Sequence, residues 1–221
     1  MRHGLRVSVA MLPRLLPFVS LLLLTSAAFS QTADPKPLID QAVAAVGGKD
    51  KLLTLFRIGE TYHFGSNPEP DAGKKRSSRT SVLQPPEFWW IGTKERADEP
   101  AKFDVWAWTL GVLVDAKSKV EVLPDLTDEG KTLFGLRVSE TITPAMDLYF
   151  EKTTSLLARI DWRSDFYRFS DYREHDGVQY AAKTIIFKKV GGKPWFFHEV
   201  TSVERLKELP AGLVKAVPAK P

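Results

Sequence analysis

The groups best suited to proton transfer near neutral pH are His63, His175 and His198, and they stand far apart in the sequence. No HExxH, GxSxG, Walker or dinucleotide-binding glycine pattern accompanies them. His175 adjoins Asp176 and Gly177 and reads as a turn residue. His63 and His198 fall on predicted strands, opposite in face to their apolar neighbours, and read as surface residues. Asp161 and Asp165, with Asp171 further on, have the chemistry of an acid/base pair, but solvated acids at turns and strand edges are the simpler reading. The chain has no cysteine, which excludes thiol catalysis, disulfides, zinc ribbons and iron–sulfur clusters together. The expectation is a protein that is not an enzyme and has neither a cofactor nor a metal site.

Binding is the better-supported chemistry. Lys74, Lys75 and Arg76, with Arg79, form a basic cluster beside a polar loop and read as a solvated hairpin. The overall excess of 31 basic over 27 acidic residues comes mostly from Arg2, Arg6 and Arg14, since residues 1–30 contain no acid. Without them 28 basic residues face 27 acidic ones, so nucleic acid is not an expected partner. The aromatic residues carry the positive hypothesis. Phe88, Trp90, Trp106, Trp108, Trp162, Trp195 and Phe197 are candidates to line a hydrophobic concavity, and Leu38, Val43, Leu52, Leu53 and Phe56 are candidates for a lid over it.

The elements that must position these side chains follow from the pattern. Residues 1–30 read as a signal peptide: a basic start, an apolar run over 15–24, then small residues with cleavage between Ser30 and Gln31. Ten apolar residues are too few to span a bilayer, which needs about 20, so the product is expected to be exported and not membrane-spanning. Residues 31–209 read as a single domain and 210–221 as a loosely ordered tail. After Pro35 and Pro37, apolar residues at three- and four-residue spacing predict a helix ending at Gly47 and Gly48. The segment 50–56 reads as a second short helix.

From residue 57 to near the C-terminus the pattern predicts strands: 57–65, 76–84, 88–91, 103–110, 112–116, 119–123, 131–142, 146–151, 156–162, 165–174, 178–189 and 194–206. Asp176-Gly177 and Gly191-Gly192 signal two tight hairpins, which makes the last three strands an antiparallel meander. Several strands are apolar on both faces. A cavity, a dimer interface and a second layer of sheet would each cover the second face.

The run from Leu38 to Leu52, LIDQAVAAVGGKDKL, resembles the opening of exported proteins of the LolA/LolB-like superfamily, the outer-membrane lipoprotein-sorting proteins. The segments LYFEKTTSLL from Leu148 and FSDYREHDGV from Phe169 extend the resemblance, as does QPPEFWW from Gln84. Gln84 stands where the carriers place an arginine, Ser155 where a glycine is usual, and Ala181 where a proline often follows the hairpin. The resemblance implies a mainly β fold with short N-terminal helices: an antiparallel, unclosed half-barrel with helices over the concave face. It implies a soluble periplasmic carrier that holds acyl chains of a lipid or lipidated protein cargo. The alternative from another class is a sensory or scaffold module of the same fold that binds a protein partner in the cell envelope.

Overall fold

The computed structural model describes residues 33–96 and 100–214; the proposed signal peptide and cleavage site lie outside the described residues. Helix α1, Lys36–Ala45, opens at Pro35, where the Asp34 carboxylate accepts the Lys36 N–H at 2.9 Å. Its inward residues Ala42 and Val43 are buried. Gly47 ends it at a φ of 109°, and a Cβ there would lie 2.0 Å from the Gly177 carbonyl oxygen. Only glycine allows both that conformation and that approach.

The expected second helix is one turn of 3₁₀ helix, Lys49–Lys51. Leu52 is already extended, so Leu52 and Leu53 point into two different core clusters, and Phe56 begins the first strand.

Among the described residues eleven strands form one sheet: β1 Phe56–Phe64, β2 Ser77–Gln84, β3 Phe88–Ile91, β4 Lys94–Glu95, β5 Lys119–Asp128, β6 Lys131–Ser139, β7 Met146–Glu151, β8 Leu157–Trp162, β9 Asp165–His175, β10 Val178–Lys188 and β11 Pro194–Arg205. Their order is β4-β3-β2-β1-β11-β10-β9-β8-β7-β6-β5, and every neighbouring pair is antiparallel. β4 and β5 are the two edges, so the sheet is not closed. The expected meander β9-β10-β11 is present, with Asp176 and Gly177 both at positive φ in the first hairpin. The two-residue strand β4 was not anticipated. Val214, inside the stretch read as a loose tail, forms a parallel bridge with Lys94.

The segments 103–110 and 112–116 are helices, contrary to the strand expectation: α2 is Ala101–Trp108 and α3 is Gly111–Val114. Pro100 sits at the N-cap of α2. Apart from Lys102 and Asp104 the run is apolar, because α2 packs against two clusters at once. Trp106 and Ala107 enter the core formed with β6, β7 and β8, while Val105 and Trp108 pack against Phe56, Leu83 and Trp89. Such a segment has no period with which to tell helix from strand. Helices α1, α2 and α3 pack on the sheet through these clusters, so the fold class read from the sequence holds.

Candidate functional site

Between α2 and the sheet lies a cavity of about 120 Å³. β1, β2 and β3 contribute Ile58, Leu83 and Trp89 to its wall. β10 and β11 add Ile186, Phe196 and Val200, and α2 covers it with Ala101, Val105 and Trp108. The pleat determines which residues can take part. Phe196, His198 and Val200 of β11 share a face with Glu60 and Tyr62 of β1, because Glu60 pairs with Val200 and Tyr62 with His198.

Set into this apolar lining is an ion network. Glu60 is buried, with Oε1 accepting from Arg79 Nε at 3.0 Å and from the Ser81 hydroxyl. Its Oε2 accepts from Arg79 Nη2 at 3.0 Å and from His198 Nε2 at 2.7 Å. Burial pushes the Glu60 carboxyl up, but the hydrogen bonds from His198 and Arg79 outweigh it and hold the group at about 2. The Arg79 guanidinium also lies over the Tyr62 ring at 4.8 Å and the Trp89 ring at 5.2 Å.

On the helix side, the Tyr167 hydroxyl donates to Asp104 Oδ2 at 3.0 Å, and Trp108 Nε1 donates to the Ala181 carbonyl at 3.0 Å. These two bonds tie α2 to β9 and β10. Burial, then the Asp104 charge, pushes the Tyr167 phenol well above its ordinary range, so it remains a donor.

Among the seven aromatic candidates, Trp108 alone lines the cavity. Phe88 and Trp90 stack on each other at 5.2 Å on the opposite face of β3, and Trp90 Nε1 donates to the Val214 carbonyl. Phe197 stacks on His63 at 4.8 Å, again on the opposite face. Trp106 and Trp162 fill the core under the helices, Trp162 donating to the Pro144 carbonyl at 2.8 Å. Trp195 donates to Asp165 Oδ1 at 3.1 Å.

The cavity instead takes Trp89 and Phe196, each one residue from a named candidate. A one-residue step exchanges the faces of a strand. The lid candidates behave alike: Leu38 and Leu52 pack in one core cluster, Leu53 and Phe56 in the other, and Val43 is buried. The covering element is α2, read as a strand.

The histidine expectations divide. His175 flanks the hairpin turn as expected, 3.3 Å from Asp176. His63 and His198 are not surface residues; His63 is buried and His198 lines the cavity. Asp161, Asp165 and Asp171 do not form an acid/base pair but bond Arg159, Lys188 and Arg173 respectively. Lys74 pairs with Asp71, Arg76 with Glu69, and Arg79 turns inward to Glu60. Among the described residues no group of three His, Asp or Glu side chains could hold a metal ion, and no helix is long and apolar enough to cross a membrane.

No known family profile and no curated protein sequence matches the chain. Solved structures do. A LolA superfamily protein from Nitrosomonas europaea superposes with a TM-score of 0.53 at 8% identity, over 80% of this chain and 96% of that one. A putative outer membrane lipoprotein-sorting protein domain from Vibrio parahaemolyticus gives 0.50 at 11% identity, over 79% and 93% of the two chains. This chain has a LolA-type fold. Identities this low establish the path of the backbone and leave the cargo to be argued from the site.

In this LolA-type sheet the departure at Ser155 has a local explanation. Ser155 takes the glycine position at a φ of 59°, and its hydroxyl accepts from Gln41 of α1 at 2.6 Å, a tie that glycine lacks. Ala181 is buried, and its carbonyl holds Trp108 of α2.

Proposed function

We propose that this chain is an exported cell-envelope protein that binds an acyl chain of a lipid or lipidated protein in the cavity beneath α2. Residues 1–30 direct export to the periplasm, and residues 31–209 form the binding domain. The observation that carries the reading is the apolar cavity between α2 and the sheet, on the face where a LolA-type fold places its helices. Partitioning supplies the driving force, about 0.8 kcal/mol per buried CH₂. At about 120 Å³ the cavity matches, in order of magnitude, an engineered apolar cavity of about 150 Å³ that holds benzene. It therefore takes a short length of alkyl chain as it stands. A longer chain enters as α2 swings away from Tyr167 and Ala181.

Native mass spectrometry of protein purified from a periplasmic fraction without detergent, followed by lipid extraction, tests this. The expected result is a bound acylated mass that is lost in Trp108→Lys and retained in Val190→Lys, a change at an exposed site away from the cavity. A lipid-free protein that also ignores apolar fluorescent probes would refute it.

One observation favours the second reading, a scaffold for a protein partner. Phe64 is 67% exposed and sits against Trp195 at 6.0 Å and Phe196 at 5.1 Å, an aromatic patch continuous with the cavity lining. A stoichiometric protein in the same spectra, without lipid, would support that reading.

A further inference from the structure

One wall of the cavity is chemically unlike the rest. The indole N–H of Trp89 is buried and has no acceptor among the described residues, although its ring belongs to the cavity lining. Buried donors are nearly always paired, by protein, water or ligand. The same cavity is lined by two carboxylates, Glu60 and Asp104, and by two basic side chains, Arg79 and His198, both already bonded to Glu60. A ligand acceptor is thus wanted at Trp89, while a further negative charge would share the lining with two carboxylates, and both basic side chains there are already engaged with Glu60.

We propose that the ligand is an uncharged acyl compound, an ester or amide, whose carbonyl oxygen accepts the Trp89 N–H while its chain lies against Leu83, Val105 and Ile186. A free fatty acid, ionised at neutral pH, is selected against. The proposal rests on the acyl-binding reading above and names the head group that the site takes.

Displacement of the neutral fluorophore N-phenyl-1-naphthylamine at about pH 8, where carboxylic acids are ionised, separates the terms. The competitors are methyl octanoate, octanoate and octane. In the wild type the ester is expected to displace the probe at about one-tenth the concentration that the acid needs. Trp89→Phe, which keeps the ring and removes the N–H, is expected to weaken the ester about tenfold, the scale of one hydrogen bond, and to leave octane unchanged.

The acid matching the ester, or Trp89→Phe leaving the ester unaffected, would overturn the proposal with acyl binding intact. Failure of both the probe and octane to bind the wild type would overturn the acyl-binding reading beneath it. If Trp89→Phe does not fold, by near-ultraviolet circular dichroism, the ester-against-acid comparison on the wild type decides alone.

Discussion

His198 Nε2 lies 2.7 Å from Glu60 Oε2 although 138 residues separate them, because the first strand of the sheet pairs with the last. The folded protein holds Glu60 at about 2, below the usual carboxylate value of about 4.3. A depressed carboxyl stabilises the fold above its unfolded value, and that contribution is lost as pH falls from about 4.5 to about 2. Urea unfolding should show Glu60→Gln less stable than the wild type by about 3 kcal/mol at pH 7, with the gap closing as pH approaches about 2. A pH-independent gap would mean that Glu60 acts only through packing.

Cavity volume should control binding in both directions. Val105→Trp places an indole from α2 into the space and is expected to abolish binding of N-phenyl-1-naphthylamine with the fold retained. Ile186→Ala enlarges the space and should tighten the fit for longer alkyl chains, at a cost of about 1 kcal/mol in stability because the side chain is only partly buried. Titration of the fluorophore against both variants, with thermal melts, reads the two effects together.

Tyr167→Phe removes the hydroxyl that donates to Asp104 and leaves the ring in place. Stability should fall by about 1 kcal/mol, with hydrogen exchange accelerated in α2 and ligand exchange faster. Uniform acceleration across the sheet, with α2 no different, would show that this bond does not hold the cover down.

Gly47→Ala should destabilise the protein by at least about 2 kcal/mol, since the residue combines positive φ with a close approach to the Gly177 carbonyl. Gly73→Ala also carries positive φ but has open space around it, so it should lose less. Chemical denaturation of the two variants side by side separates the clash from the backbone strain.

Much of the sheet was legible in the sequence. Asp176-Gly177 and Gly191-Gly192 mark hairpins through local backbone chemistry, and the strands around them alternate or run apolar over the lengths observed. The cover was not legible, because the apolar residues of α2 meet two different clusters and read equally well as a two-faced strand. The choice of Trp89 over Trp90, and of Phe196 over Phe197, was also hidden. Where both faces of a strand are aromatic, only pairing partners far away in sequence set which one meets the cavity. The ion network had one available signal. Glu60 stands between Ile58 and Tyr62 at two-residue spacing, a carboxylate on an otherwise apolar face, and such a residue calls for buried partners. Those partners, Arg79 and His198, lie on the two neighbouring strands.

The bridge between Val214 and Lys94 bears on self-association. It occupies backbone groups beside the two-residue strand β4, with Glu95 donating to the Val214 carbonyl and Val214 to that of Thr93. Among the described residues the long unpaired border is then β5, interrupted at Pro124 and Asp125 where its pairing with β6 shifts register. Fibril growth by edge pairing needs two open borders per molecule. Two copies joined β5 to β5 would use up the long border of each, so aggregation by that route ends at a pair.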